Sequence, residues 1–376
     1  MPTMPALPGA SALRAPSELL DRVRRDVERN ALRARNGVKL AAGLDRPKLG
    51  QTPRDLIWSS GRCELWRYRS DSVSLAPPLL MTFSLVSRSY ILDLQPGNSF
   101  VEHLLSAGFD VFLIDWTPAD ERHADDKLED YVDDYLPEAV RRTCEAAGTE
   151  SVNLMGYCFG GVLTLLYAAH HPDAPLRSLT VMATPVDFSD WGLISEIARE
   201  GRLDIETLID ETGNVPASTI GQSFRLIKPT GDIRQYATLL DNVWNDEYVT
   251  AYQAMTTWAG DHIPFPGAAA RQTLEMLVRE NAFMTDKLRL GGEPVSLKDI
   301  TTPMLTVIAE RDHIVPEAVA APLPDLVGSK ENDVLRLDAG HIGLAVGRTA
   351  AKVTIPRIMD FLKQRSEPAA ASRTEA

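Results

Sequence analysis

Cysteine is scarce in this chain. Its 376 residues hold three, Cys63, Cys144 and Cys158, too few for a disulfide framework at this length. Residues 1–10 lack the charged stretch and apolar block of a secretory signal, so the expected compartment is the reducing cytosol. Long apolar runs are missing too: none approaches the roughly 18 uninterrupted residues of a spanning helix. Positive charge is in the minority. Against 39 Lys and Arg stand 52 Asp and Glu, a net charge of −13. That balance argues against nucleic acid as a partner and gives no attraction to anionic lipid. There is no P-loop and no Gly-rich dinucleotide turn between a strand and a helix. No repeat is visible, and no His, Cys and Asp set has the spacing of a metal site.

What is present is an ordinary globular composition, 44% hydrophobic and 24% charged, enough to bury a core. Residues 1–14 read as a flexible arm. Residues 16–36 read as an amphipathic helix with Ser17 as N-cap and Leu19, Leu20, Val23 and Val27 on one face, either docked on the core or open to a partner. From Cys63 onward, strand and helix patterns alternate. Strands are expected at 64–68, 79–85, 111–115, 151–155, 179–184, 304–310 and 334–337. Helices are expected at 128–146, where Pro137 kinks or splits the run, at 160–170 and at 350–363. This alternation predicts a parallel sheet with helices on both faces. The rhythm breaks between Phe188 and Leu297, a helical stretch rich in aromatics such as Trp191, Phe224, Tyr236, Trp258 and Phe265. The expected organisation is an N-terminal arm and helix (1–50), an α/β core in two pieces (51–187 and 299–366), an inserted helical cap (188–298) and a disordered tail (367–376).

The strongest chemical signal is Gly156-Tyr157-Cys158-Phe159-Gly160-Gly161, set between the strand SVNLM and the helix GVLTLLYAA. It is the layout of a nucleophile elbow, G-x-S-x-G with Cys in place of Ser. The tight turn needs residues without a side chain two positions either side of the nucleophile. A helix starting just past Cys158 favours its thiolate, and the amide of Phe159 is the expected oxyanion donor. The other reading is a small buried cysteine among packing glycines. Two downstream segments favour the elbow. Asp312 follows the strand MLTVIA, and His341, within Gly340-His341-Ile342-Gly343, follows the strand VLRL. Nucleophile, acid and histidine in that order, each at a strand's carboxyl end, match an α/β-hydrolase fold: a mostly parallel central sheet flanked by helices, with an inserted helical cap. Cys158, Asp312 and His341 are therefore the expected catalytic set. His313 could tune Asp312, whereas His103, His170, His171 and His262 read as structural, and Cys63 and Cys144 as core residues. Cysteine at an elbow forms an acyl thioester close in energy to a coenzyme A thioester, which favours acyl transfer over proteolysis.

Several blocks in order resemble the polyhydroxyalkanoate (PHA) synthases over roughly residues 50–350. They are QTPRDLIWSSGRCELWRY (51–68), SYILDLQPGNSFVE (89–102), GFDVFLIDWT (108–117), KLEDYVDDY (127–135), GYCFGG (156–161), TPVDFSD (184–190), DHIVP (312–316) and GHIG (340–343). The resemblance implies a transferase that polymerises (R)-3-hydroxyacyl-CoA into polyester through an acyl group on Cys158, with CoA released. It maps the family's cysteine, aspartate and histidine onto Cys158, Asp312 and His341, the aspartate either orienting the histidine or activating the incoming 3-hydroxyl. It implies no cofactor, since the CoA thioester is the substrate and CoA the product. The expected partners are the acyl-CoA and the growing polyester chain. The short N-terminal region resembles the short class, whose members work with an accessory subunit; a homodimer is a further partner reading. The expected location is the cytoplasm, at the surface of polyester granules. One departure is Ser87, where the family carries Asn, close to the expected second oxyanion donor, for which the Val86 amide is a candidate. The alternative function on the same fold is a thioesterase or an intracellular polyester depolymerase.

Overall fold

A computed structural model describes residues 16–44, 47–227 and 238–369. The arm through residue 15, Tyr236 and the tail from residue 370 lie outside them. The chain forms two compact units, Met1–Pro47 with Thr230–Ala254 and Lys48–Pro229 with Met255–Ala376. The stretch 188–298 contributes to both.

In the larger unit, most strands are short segments dense in Val, Ile, Leu and Phe. β1 (Arg54–Ser60), β2 (Cys63–Tyr68), β3 (Leu75–Thr82), β4 (Phe109–Trp116), β5 (Val152–Tyr157) and β6 (Leu176–Met182) are followed much later by Met304–Ala309 and Asn332–Leu337. The sheet order is β1-β2-β4-β3-β5-β6, then those two strands. β2 pairs antiparallel with β1 and with β4; every pairing from β4 across to Asn332–Leu337 is parallel. β4 is buried at every position but Asp115, and β5 and Met304–Ala309 are buried throughout. Apolar side chains on both faces are what a helix-covered parallel sheet requires. The chain passes from β3 outward to β4 and back to β5, on opposite sides of β3. The order therefore reverses there, and such a switch opens a crevice at the strands' carboxyl ends.

β3 starts and ends earlier than the expected 79–85. Its pairing with both neighbours stops at Thr82, so residues 83–86 become loop. At its start, β5 pairing begins only at Leu79, which lets Pro77 and Pro78 enter a central strand without breaking a ladder on that side. The same gap corrects the expected tail: Glu367 and Pro368 pair antiparallel with Ala76 and Leu75.

The expected split at Pro137 does not occur: residues 128–147 are helical without interruption, and a π-helical turn, Asp130–Tyr135, passes directly into α3 (Leu136–Ala147), whose second residue is Pro137. The wider π turn sits just where the missing N–H would disturb a regular helix. α3 ends on Gly148 at φ 66, the left-handed C-terminal stop that glycine adopts readily. Before it lies α2 (Phe100–Ser106), capped by the Ser99 side chain. After it, α4 (Phe159–His170) is buried from Gly160 to Ala169.

In the smaller unit, α1 (Pro16–Ala41) is longer than expected and already includes Ser17. Its apolar stripe does not dock: Leu20, Val23 and Val27 are exposed. The helix packs instead through its C-terminal half. Leu40 joins Leu239, Val243 and Val249, Asn36 donates to the Val243 carbonyl at 2.8 Å, and Arg35 pairs with Asp246. Among the described residues no helix is long and apolar enough to cross a membrane.

Candidate active site

β5 runs into α4 through a single residue, Cys158, at φ 58 and ψ −124. Positive φ strains any residue with a Cβ, so the surroundings must hold it. They do so by close packing. A Cβ on Gly156 would lie 2.5 Å from the Gly161 Cα, and one on Gly160 would lie 2.5 Å from the Thr82 carbonyl oxygen. Backbone bonds complete the elbow: the Cys158 N–H donates to Met182 O at 2.9 Å, and the Gly161 N–H donates to Cys158 O at 2.9 Å. Phe159 opens α4, so its amide lies at the helix N-terminus next to Cys158.

Asp312 sits in the loop after Met304–Ala309, with its side chain buried. One carboxylate oxygen accepts the N–H groups of Ile314 (2.8 Å) and Val315 (2.9 Å). The other lies 2.6 Å from His341 Nδ1. His341, beyond Asn332–Leu337, is buried as well, and the Cys158 sulfur is near enough to act on its charge. With Nδ1 committed to Asp312, Nε2 is the nitrogen left for sulfur. Burial alone would lower the pKa of this imidazole. The Asp312 carboxylate and the Cys158 sulfur outweigh it and raise the value to about 10. Asp312 and His341 are thus joined directly, with Cys158 beside the imidazole.

Sequence reasoning missed Tyr157. Its hydroxyl donates to the His341 backbone carbonyl at 2.8 Å, and its ring stacks on the imidazole at 5.1 Å and 26°. Burial, then the charges of Asp312 and Cys158, push its phenol far up, so it stays a donor. Phe83 meets Tyr157 edge-on at 5.3 Å. The loop that carries Phe83 is pinned from below. Trp116 Nε1 donates to Phe83 O at 3.1 Å, and the fully buried Arg62 donates to Leu85 O, Thr117 O and the Tyr131 hydroxyl. The Val86 N–H makes a long bond, 3.4 Å, to Ser84 Oγ, while its carbonyl accepts from Ile263 at 3.2 Å. On the opposite wall, Trp191 Nε1 donates to Ile314 O at 2.7 Å, and Cys158, Trp191 and Ile314 pack on the cluster around Val315 and Val319.

The remaining candidates lie elsewhere. His313 is exposed and is not among the hydrogen-bond partners found for the Asp312 carboxylate. His262 is half-buried and stacks on Phe224 at 5.1 Å; His103 lies in α2. Cys63 and Cys144 are free thiols, the first buried and the second half-buried, and burial pushes both thiols up. The fold makes one grouping that linear spacing hides: Asp133 joins His170 and His171.

A strained cysteine elbow at the switch point of a mostly parallel sheet, with Asp312 and His341 delivered from the ends of Met304–Ala309 and Asn332–Leu337 beyond β6, defines an α/β-hydrolase architecture. Residues 91–347 match the alpha/beta hydrolase fold family. The chain is 35% identical over 325 residues to the poly(3-hydroxyalkanoate) polymerase subunit PhaC of Allochromatium vinosum, covering 84% of this chain and 90% of that one. It is 33% identical over 330 residues to the subunit of the same name from Haloferax mediterranei, covering 87% and 67%. To that of Thiocystis violacea it is 32% identical over 337 residues, covering 88% and 93%. The chain belongs to the poly(3-hydroxyalkanoate) polymerase family.

Proposed function

We propose that this chain is a poly(3-hydroxyalkanoate) polymerase that builds polyester from (R)-3-hydroxyacyl-CoA through a thioester on Cys158, with His341 as its proton carrier and Asp312 as the group that orients His341. The observation that carries the mechanism is the 2.6 Å contact between His341 Nδ1 and Asp312, with Cys158 held on the strained elbow beside the imidazole.

In the first half-reaction His341 holds the proton given up by Cys158, as its raised pKa favours, and the sulfur attacks the thioester carbonyl. The oxyanion that forms lies against the amide of Phe159. The intermediate collapses, the C–S bond to CoA breaks, and His341 returns the proton to the departing thiolate. One thioester replaces another, so the acyl group remains activated. In the second half-reaction a 3-hydroxyl gives its proton to His341 and attacks the acyl-Cys158 carbonyl; the C–S bond to Cys158 breaks, the ester forms, and the proton on His341 is shared again with the freed sulfur. Both Asp312 oxygens are already engaged, by His341 and by two backbone amides. That arrangement supports orientation of the imidazole rather than direct activation of the hydroxyl. No cofactor enters this scheme.

The proposal extends to partners and location. The open Leu20, Val23 and Val27 stripe of α1 suits an accessory subunit, and an insoluble product suits work at a granule surface in the cytoplasm. The test is turnover of labelled (R)-3-hydroxybutyryl-CoA by the purified chain, with and without the accessory subunit. CoA release with insoluble polymer is expected. Free 3-hydroxy acid without polymer under both conditions would sink the polymerase reading.

A further inference from the structure

Adjacent residues in a regular helix point about 100° apart and do not share a target. His170 and His171 nevertheless aim at one atom. α4 ends at His170, and His171 leaves the helix at φ −119 and ψ 71, which swings the two rings together; they meet edge to face at 5.1 Å. Their common target comes from the π-helical turn Asp130–Tyr135, a geometry rare in helices and frequent at functional sites. Asp133 Oδ1 lies 2.9 Å from His171 Nε2 and 3.4 Å from His170 Nε2. The ligand atoms of the three residues all fall within 4.8 Å of one another.

As a hydrogen-bonded cluster it pairs only His171 with Asp133, at 2.9 Å; His170, at 3.4 Å, is beyond a good hydrogen-bond length. A metal ion between the three would engage both imidazoles. Three ligands at about 2.0–2.2 Å in a tetrahedral site stand roughly 3.3 Å apart; the two separations to Asp133 are 2.9 and 3.4 Å, and the two imidazole nitrogens lie within 4.8 Å of each other. Two imidazoles and one carboxylate suit zinc and its first-row neighbours, not calcium or magnesium. The Asp133, His170 and His171 side chains are 33%, 21% and 35% exposed, which leaves room for water as a fourth ligand. Asp133 also borders an open cleft of about 380 Å³ with Trp58, Tyr135 and Arg141, a route for an ion from solvent. His171 is held in place independently, its ring resting on Tyr167 at 5.2 Å.

We propose that Asp133, His170 and His171 bind one divalent transition-metal ion of the zinc class. The site stands at the far end of α4 from Cys158, a helix of 12 residues or about 18 Å. It is a brace between that helix and the π-helical turn, and takes no part in acyl transfer.

The test is titration of the full-length, chelator-stripped chain with Zn²⁺, followed by calorimetry, and with Co²⁺, followed by its visible absorption. One equivalent is expected to bind to the wild type and equally to Cys158→Ser, which excludes the Cys158–His341 pair as the ligand set. Asp133→Asn, His170→Gln and His171→Gln should each weaken binding by about tenfold or more; circular dichroism identifies any variant that fails to fold, and the other two then decide. No uptake by the wild type, uptake lost in Cys158→Ser, or uptake unchanged in the three variants would each overturn the site.

Discussion

The Tyr157 hydroxyl reaches past its own strand to the main-chain carbonyl of His341, 2.8 Å away, while its ring lies against that residue's imidazole. The residue before the nucleophile therefore sets both the backbone and the side chain of the proton carrier. Tyr157→Phe keeps the stack and removes the bond, leaving the carbonyl with only the Leu344 N–H at 3.2 Å, a loss of about 0.5–1.5 kcal/mol. The expected result is a lower melting temperature and a kcat for CoA release reduced by roughly tenfold, with KM little changed. An unaltered kcat would restrict Tyr157 to packing.

Cys158→Ala should abolish CoA release, a loss of at least about 10³-fold. Mass spectrometry of the wild type mixed with acyl-CoA should find the acyl adduct on the peptide containing Cys158. An adduct on Cys63 or Cys144 would move the chemistry elsewhere.

Asp312→Asn removes the anion that opposes burial in raising the His341 pKa. The imidazole should then titrate below the wild-type value of about 10, readable by NMR of ring-labelled histidine. CoA release should fall by about 10³–10⁴-fold, since an amide also permits the wrong tautomer. Normal acylation of Cys158 with only elongation lost would assign Asp312 to the 3-hydroxyl instead.

The same shift makes stability depend on pH. A free imidazole titrates near 6.5, and His341 in the fold near 10, so the folded chain holds a proton that the unfolded chain has lost. The stability this contributes is full below about pH 6.5 and is lost as pH rises toward 10. Urea unfolding of the wild type and His341→Gln should differ most at the acid end of that window and converge at the alkaline end. A gap independent of pH would contradict the raised value.

Gly160→Ala tests the elbow itself. Its Cβ would meet the Thr82 carbonyl oxygen at 2.5 Å and the Phe83 carbonyl carbon at 2.8 Å. Backbone cannot step aside as a side chain can, so destabilisation of about 1–3 kcal/mol or more is expected, with loss of soluble protein. Wild-type stability in this variant would mean that the elbow is looser than its packing implies.

Cys158, Asp312 and His341 could be picked out in advance because each carries a local signature: glycines around a strand–helix turn, and polar residues just past an apolar strand. Strands buried on both faces were equally plain. β1 was not, because its residues alternate between half-buried and exposed and form no apolar run. Pro77 and Pro78 hid the start of β3, since the missing partner that makes them tolerable there is a matter of register. The stripe on α1 has the spacing of a docked face, yet burial depends on what lies opposite, which periodicity does not encode. Tyr157 and the Asp133 cluster escaped for the same reason: their partners lie far along the chain.

That separation has a consequence during synthesis. Tyr157 and His341 are 184 positions apart, and Cys158 leaves the ribosome long before the residues that would take its proton. On the proposed mechanism, an unfinished or prematurely terminated chain owns a nucleophile without a base. The elbow would become competent only after Asp312 and His341 have arrived and docked, so activity would report completion of nearly the whole larger unit.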